Sequence, residues 1–248
     1  MTNVLLITGG GRGIGAATAL LAARRGYAVC VNYRDHRAGA ESVAQQIRDF
    51  GGNALALSAN VGVESDVIRM FETVDRELGV LSGLVNNAGI LESQMRLEAM
   101  DAARLQRVFT TNIIGAFLCA REAVKRMSTA RGGAGGAIVN VSSAAARLGA
   151  PGEYVDYASS KGALDTMTIG LAREVADEGI RVNGVRPGLI YTDIHASGGD
   201  PGRVDRLKAA VPVRRGGRAE EVAQAILWLL SNEASYTTGS FIDVSGGR

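Results

Sequence analysis

Short, almost wholly apolar runs alternate along the chain with longer stretches in which apolar residues recur at helical spacing. Val4-Leu5-Leu6-Ile7 has no polar position at all, as expected of a strand covered by helices on both faces of a parallel sheet. The pattern predicts strands over residues 4–8, 28–33, 54–59, 83–86, 137–141, 181–186 and 241–244. Between them it predicts helices over 14–25, 37–50, 64–78, 101–127, 154–177 and 219–231. Repeated β-helix-β units of this length predict an α/β fold, a doubly wound parallel seven-stranded sheet (a Rossmann fold) with right-handed crossovers. No Pro/Ser-rich linker interrupts the chain, so residues 1–248 are expected to form a single domain. Two segments fall outside the regular pattern. Residues 130–136 read as a flexible Gly-rich turn before a strand, and residues 189–213 are long for a connection. Loops of that length are usually functional, and this one is expected to be a lid over a substrate.

Composition narrows the class. Hydrophobic residues make up 46% and charged residues 21% of the 248, which is ordinary for a globular protein. A net charge of +2 without any basic block argues against a nucleic-acid partner. The two cysteines, Cys30 and Cys119, lie in apolar surroundings and read as small buried hydrophobes, which points to a reducing compartment. With no run of transmembrane length and no signal peptide, the expectation is a cytoplasmic protein with no membrane partner. His36 and His195, the only histidines, fall in no ligand-spaced cluster, so no metal is expected. No Gly-x-Ser-x-Gly elbow of a hydrolase is present.

The chemistry-bearing positions cluster at strand ends. Thr8-Gly9-Gly10-Gly11-Arg12-Gly13-Ile14-Gly15 follows the first strand and opens the first helix. Glycines there admit a pyrophosphate close to the backbone, and the helix N-terminus supplies N–H donors. At the end of the second strand, where an acid would bind a ribose 2′-hydroxyl, the chain reads Asn32-Tyr33-Arg34 with no acid before Asp35. Arg34 and Arg12 could reach a 2′-phosphate, so NADP is expected in preference to NAD. Asn86-Asn87-Ala88-Gly89 closes the fourth strand, Ser142-Ser143 the fifth, and Pro187-Gly188-Leu189-Ile190-Tyr191-Thr192 the sixth. Asn112 is a polar residue inside an apolar helical run, unfavourable unless something uses it. Tyr157 and Lys161 stand four apart, on one helix face. An ammonium beside a phenol favours the phenolate and lowers its pKa from about 10. Only Lys125, Lys161 and Lys208 among 27 basic residues are Lys, so Lys161 looks selected for its compact charge.

Taken in order, these motifs resemble the classical subgroup of the short-chain dehydrogenase/reductase family along essentially the whole chain. The family's Thr-Gly-x-x-x-Gly-x-Gly falls on Thr8 to Gly15, its Asn-Asn-Ala-Gly on Asn86 to Gly89 and its Tyr-x-x-x-Lys on Tyr157 to Lys161. Its Pro-Gly with a following Thr falls on Pro187, Gly188 and Thr192. The resemblance implies an NADP(H)-dependent oxidoreductase that interconverts a carbonyl and a secondary alcohol. Tyr157 would be the general acid/base, Lys161 its partner and a holder of the nicotinamide ribose, and Asn112 the anchor of a water relay. The serine that bonds the substrate oxygen usually stands thirteen residues before the Tyr, which is Ala144 here. Matching the strand instead selects Ser143, with one extra residue in the following loop. The implied cofactor residues are Gly9, Arg12, Gly13, Ile14, Gly15, Tyr33, Arg34, Asn60, Val61, Asn87, Ala88, Gly89, Tyr157, Lys161, Pro187, Gly188, Ile190 and Thr192. Asn60 stands where relatives often carry Asp beside the adenine. Within the class, a 3-oxoacyl-carrier-protein reductase and a glucose-dehydrogenase-like sugar oxidoreductase are both open. Outside it stands a non-catalytic NADP-binding regulator. A homotetramer is implied by the resemblance. Apolar Phe109, Ile113, Phe117, Leu164, Met167 and Leu171 on two long helices are expected to serve its interfaces.

Overall fold

The structure, a computed structural model, describes residues 3–248. The chain runs β1 (Val4–Ile7), α1 (Gly13–Arg24), β2 (Ala28–Tyr33), α2 (Arg37–Asp49), β3 (Ala54–Ser58), α3 (Glu64–Glu77) and β4 (Leu81–Asn86). It continues through α4 (Ala102–Phe109), α5 (Gly115–Met127), β5 (Gly136–Val141), α6 (Ala145–Leu148), α7 (Val155–Glu174) and β6 (Ile180–Pro187). It ends with α8 (Ile194–Ser197), α9 (Arg203–Leu207), α10 (Ala219–Leu230) and β7 (Phe241–Val244). The seven strands form one parallel sheet in the order β3-β2-β1-β4-β5-β6-β7.

Alternation along each strand divides the core. Val4, Leu6, Cys30, Leu84 and Ile138 face one layer, where α3, α5 and α7 contribute Phe71, Cys119, Met127 and Leu164. Leu5, Ile7, Val31, Val85 and Val139 face the other, against Ala19, Ala44, Ile47 and Ile226 of α1, α2 and α10. Both faces are therefore covered, which explains why β1 has no polar residue. The strand order reverses between β1 and β4, which leave in opposite directions from the sheet centre. Ligand crevices in such sheets lie at this point, outside the carboxyl ends of the strands.

Three expectations are corrected. The helix read over 101–127 is not uniform: residues Thr110–Ile114 form a π-turn between α4 and α5. A π-bulge adds one residue to the turn and swings a side chain off the regular face, here the buried Asn112. Leu164 and Met167 do not face outward; they are buried in the core because that face of α7 packs on the sheet. The apolar residues left exposed on these helices are Ile114, Phe117 and Ile169. Residues 130–136 are largely ordered by backbone bonds, Gly133 N to Ser128 O at 2.8 Å and Gly135 N to Met127 O at 2.8 Å.

Candidate active site

A cleft of about 850 Å³ lies along the carboxyl edge of the sheet. Its first half is built from backbone. Gly9 and Gly13 have φ of 62° and 52°, a left-handed conformation that glycine adopts without strain. A Cβ on Gly9 would come 3.1 Å from the Ala88 Cα, and one on Gly13 3.1 Å from the Thr192 methyl. The loop after β1 thus touches the segment after β4 on one side and the segment after β6 on the other. Thr8 Oγ1 accepts from Asn87 N and Ala88 N, each at 3.0 Å, while Asn87 Nδ2 donates to Thr8 O at 2.9 Å and Gly9 O at 3.0 Å. Buried Asn32 completes the lock: its Oδ1 accepts from Gly9 N at 3.2 Å, and its Nδ2 donates to Ala59 O at 3.0 Å. The first turn of α1 contains no acid, leaving its N–H groups and dipole open to an anion.

Arg12, Tyr33, Arg34, Asn60 and Val61 line this half, together with Asp35 and His36. Arg34 is half-exposed and its Nε pairs with Asp35 at 2.5 Å, so an acid does stand beside it. Asn60 turns its Oδ1 to Gly62 N at 3.0 Å and holds its own N–H on Asp66. Gly15 is not on the wall. A Cβ there would lie 2.6 Å from both Asn87 Nδ2 and Gly9 O, so this glycine serves close packing beneath the loop.

The second half is built from side chains. Ser143, Tyr157, Lys161, Pro187, Gly188, Ile190 and Thr192 line it, as do Asn87, Ala88 and Gly89 where the halves meet. Buried Lys161 donates from Nζ to Val141 O at 2.7 Å and stands 5.6 Å from the centre of the Tyr157 ring. Burial lowers its pKa to about 8, with Asp165 one turn on pulling it back up. Tyr157 departs from expectation. Burial pushes the phenol up to about 12, with the Ser143 hydroxyl pulling the other way. On this half-buried wall position the phenolate loses more by desolvation than it gains, since the ammonium is directed at Val141 O. Ser143, not Ala144, is the serine beside Tyr157, and its Oγ also accepts from Ala145 N at 3.1 Å.

Asn112 stands behind the wall. Its Oδ1 accepts from Ile90 N at 2.8 Å, and its Nδ2 donates to Ile90 O at 3.0 Å and Ser160 Oγ at 3.1 Å. A Cβ on Gly89 would come 3.6 Å from both Asn112 Oδ1 and Lys161 Nζ, so the two flank that glycine.

Sequence reasoning pointed to the 189–213 part of the outer wall but missed its residues between 91 and 154. Leu91, Leu148, Pro151, Glu153, Tyr154, Leu189, Ile194 and Arg203 line the cleft beyond Tyr157, and Asp193, His195 and Arg248 add polar groups to its lining. Arg203 of α9 binds Glu153 through Nη1 at 3.0 Å and Nη2 at 2.5 Å, and lies 5.2 Å over the Tyr154 ring. Tyr154 Oη donates to Gly198 O at 3.2 Å. No local pattern marks these residues, because each becomes part of a wall only through its partner on a distant segment.

The comparisons with known proteins agree with this geometry. A family model described as Enoyl-(Acyl carrier protein) reductase matches residues 9–248. The chain is 60% identical over 245 residues to the uncharacterized oxidoreductase YgfF of Escherichia coli, covering 99% of each chain. It is 36% identical over 247 residues to the 3-oxoacyl-[acyl-carrier-protein] reductase FabG of Staphylococcus aureus, covering 100% of this chain and 98% of that one. The crystal structure of the 3-ketoacyl-(acyl-carrier-protein) reductase of Brucella melitensis complexed with NADH superposes with a TM-score of 0.92 at 32% identity, covering 99% and 98%. With the motifs in order, the doubly wound sheet and these relatives, the chain belongs to the short-chain dehydrogenase/reductase family of oxidoreductases, in the classical subgroup near the 3-oxoacyl-carrier-protein reductases.

Proposed function

We propose that the protein is an NADP(H)-dependent oxidoreductase that interconverts a carbonyl and a secondary alcohol. The observation that carries this reading is the convergence of Ser143, Tyr157 and Lys161 on the end of a cleft whose other end is a glycine cradle. The cradle fits a dinucleotide: added Cβ atoms at Gly9 and Gly13 would crowd it, and the α1 N-terminus lies behind it. Gly9, Gly13 and Ile14 would flank the pyrophosphate, with Gly15 allowing the turn to close. Asn60 and Val61 would border the adenine, and Asn87, Ala88, Gly89, Pro187, Gly188, Ile190 and Thr192 the nicotinamide end. A nicotinamide held by these residues would supply the hydride chemistry.

The remaining chemistry belongs to the chain. Tyr157, held as a phenol by burial, is a proton donor to the carbonyl oxygen in the reductive direction. Ser143 supplies a hydrogen bond to the same oxygen as negative charge develops. Lys161 holds its ammonium 5.6 Å from the centre of the Tyr157 ring, and Asn112 fixes the Gly89-Ile90 backbone that borders it.

The cofactor preference rests on Arg12 and Arg34, both lining the adenosine end. Arg–phosphate contacts are charge-assisted, and the Arg34–Asp35 pair that such a contact would displace is exposed, the kind of pair that contributes little. Residues 189–213 act as a lid, tethered by Glu153–Arg203 and Tyr154–Gly198. Leu91, Leu148, Pro151, Leu189 and Ile194 of the outer wall suit an acyl or alicyclic carbonyl, while Glu153, His195 and Arg203 beside them offer partners to a hydroxylated substrate such as a sugar. Exposed Ile114, Phe117 and Ile169 support a homo-oligomer, a tetramer by family.

Absorbance at the nicotinamide band, followed with NADPH or NADH against panels of acyl thioesters, cyclic ketones and sugars, tests the reading. Turnover with NADPH and an apolar ketone or thioester is the expected result. Higher kcat/KM with NADH would refute the phosphate assignment, and binding of NADPH without turnover on any panel would favour a regulator.

A further inference from the structure

Helix α4 carries Arg104 and Arg107 one turn apart, and both hold the irregular segment that follows β4. Arg107 grips Glu92 at the surface with Nε at 2.7 Å and Nη2 at 2.9 Å. Arg104 turns inward. Its Nε donates to Asp156 Oδ2 at 2.8 Å, its Nη2 to Asp156 Oδ1 at 3.3 Å, and its Nη1 to the Ser93 carbonyl at 2.6 Å. The two side chains are 5% and 1% exposed, which makes this the most deeply buried ion pair among the described residues.

Stability gives little reason for such a pair. Desolvating both charges can cost more than their attraction returns, and apolar replacements of similar volume are often neutral or stabilising. Position gives a reason. Asp156 is the residue immediately before Tyr157, in the first turn of α7, and that turn has no side-chain cap on its N-terminus. Ser93 lies two residues beyond Leu91, part of the cleft wall packed against Gly198 of the 189–213 segment. One guanidinium therefore joins the turn that bears the phenol to the wall that faces the substrate. A planar fork with donors in fixed directions can do this, whereas two separate contacts would allow the turn and the wall to drift apart. Neither Arg104 nor Asp156 lines the cleft, so any effect must pass through their neighbours.

We propose that the Arg104–Asp156 pair is a positioning device for Tyr157, holding its phenol in register with Ser143 and the Leu91 wall. The inference rests on the reading of Tyr157 as the proton donor.

The test separates positioning from stability. Arg104→Met and Asp156→Leu each leave one buried charge unpaired, and each is expected to lower the melting temperature and the activity together. The double variant Arg104→Met/Asp156→Leu is expected to recover the melting temperature. It should keep cofactor affinity, yet show kcat lowered by at least about tenfold, because misplacement by about 1 Å can cost about 10²-fold. Its solvent deuterium isotope effect on kcat should rise as proton transfer becomes slower, while substrate KM moves little. A double variant with recovered stability, wild-type kcat and an unchanged isotope effect would show the pair to be merely structural. Should the double variant not fold, Arg104→Lys serves instead. A single ammonium cannot hold both carboxylate oxygens and the Ser93 carbonyl, so kcat should fall and the isotope effect rise, and wild-type values for both would overturn the proposal. Tyr157→Phe run beside them keeps the two ideas apart. A silent Tyr157→Phe removes the underlying reading, whereas an inactive one with a normal double variant removes only the positioning role.

Discussion

The two halves of the cleft are made differently. Around the Gly-rich loop the wall is backbone: Gly9 and Gly13 in left-handed turns, Asn87 and Asn32 bonded to main-chain atoms, and adjacent strand ends in register. Around Tyr157 the wall is side chain, collected from residues 90–91, 143–157 and 189–203, and held by pairs such as Arg203–Glu153 and Arg104–Asp156. Backbone recognition suits a partner that never changes. Side-chain walls can be altered without disturbing the sheet, and that is where members of one fold can diverge in substrate.

The sharpest break in this comparison comes from the side-chain half. Tyr157→Phe should cut kcat by about 10²–10⁴-fold, the usual worth of a positioned acid, and leave NADPH affinity within a few fold. Single-turnover rates and a cofactor titration check both parts. Retention of more than about a tenth of wild-type turnover would exclude Tyr157 as the donor.

In the backbone half, Gly15→Ala should act through packing. Its new Cβ would fall 2.6 Å from Gly9 O and Asn87 Nδ2, and neither can retreat without breaking the loop. Overpacking of this kind costs about 1–3 kcal/mol. Chemical denaturation and cofactor affinity should both register it, and an unperturbed variant would mean the cradle is looser than its contacts suggest.

Acidity gives a smaller, graded effect. Lys161, lowered to about 8 by burial, carries its charge below that pH and loses it above. If the charge is needed, kcat/KM should be level below about pH 8 and decline as pH rises through it, approaching tenfold per unit. A profile flat to pH 10 would show that the neutral amine suffices.

The mildest change should follow Glu153→Gln. It weakens the bond to Arg203 without altering shape, so the 189–213 segment should open more often. We expect substrate KM to rise several-fold with cofactor affinity unchanged. Hydrogen exchange across residues 190–210 should be faster than in wild type, and slowed in both by cofactor with a substrate analogue. Protection indifferent to ligand in wild type would identify a static loop.

The sheet, its crossovers and the glycine cradle were legible in the sequence because each depends on neighbours in the chain. Val4-Leu5-Leu6-Ile7 carries its two-sided burial in its own composition, and Thr8 to Gly15 carries the turn in residues that tolerate it. Tyr157 and Lys161 were legible for the same reason, since four residues along a helix fix a shared face. Their acidities were not. Spacing implied a phenol lowered by an ammonium, whereas tertiary burial raised the phenol and lowered the ammonium instead. Matching the strand selected Ser143 over position 144, but only packing set its hydroxyl beside the phenol. The π-turn at Asn112, the burial of Leu164 and Met167, and the Glu153 and Tyr154 part of the outer wall were invisible to local reading. Arg104 meets Asp156 across 52 positions and Arg203 meets Glu153 across 50. Pairings that distant have no local period or spacing to announce them, and they arise only when the folded sheet has brought the helices together.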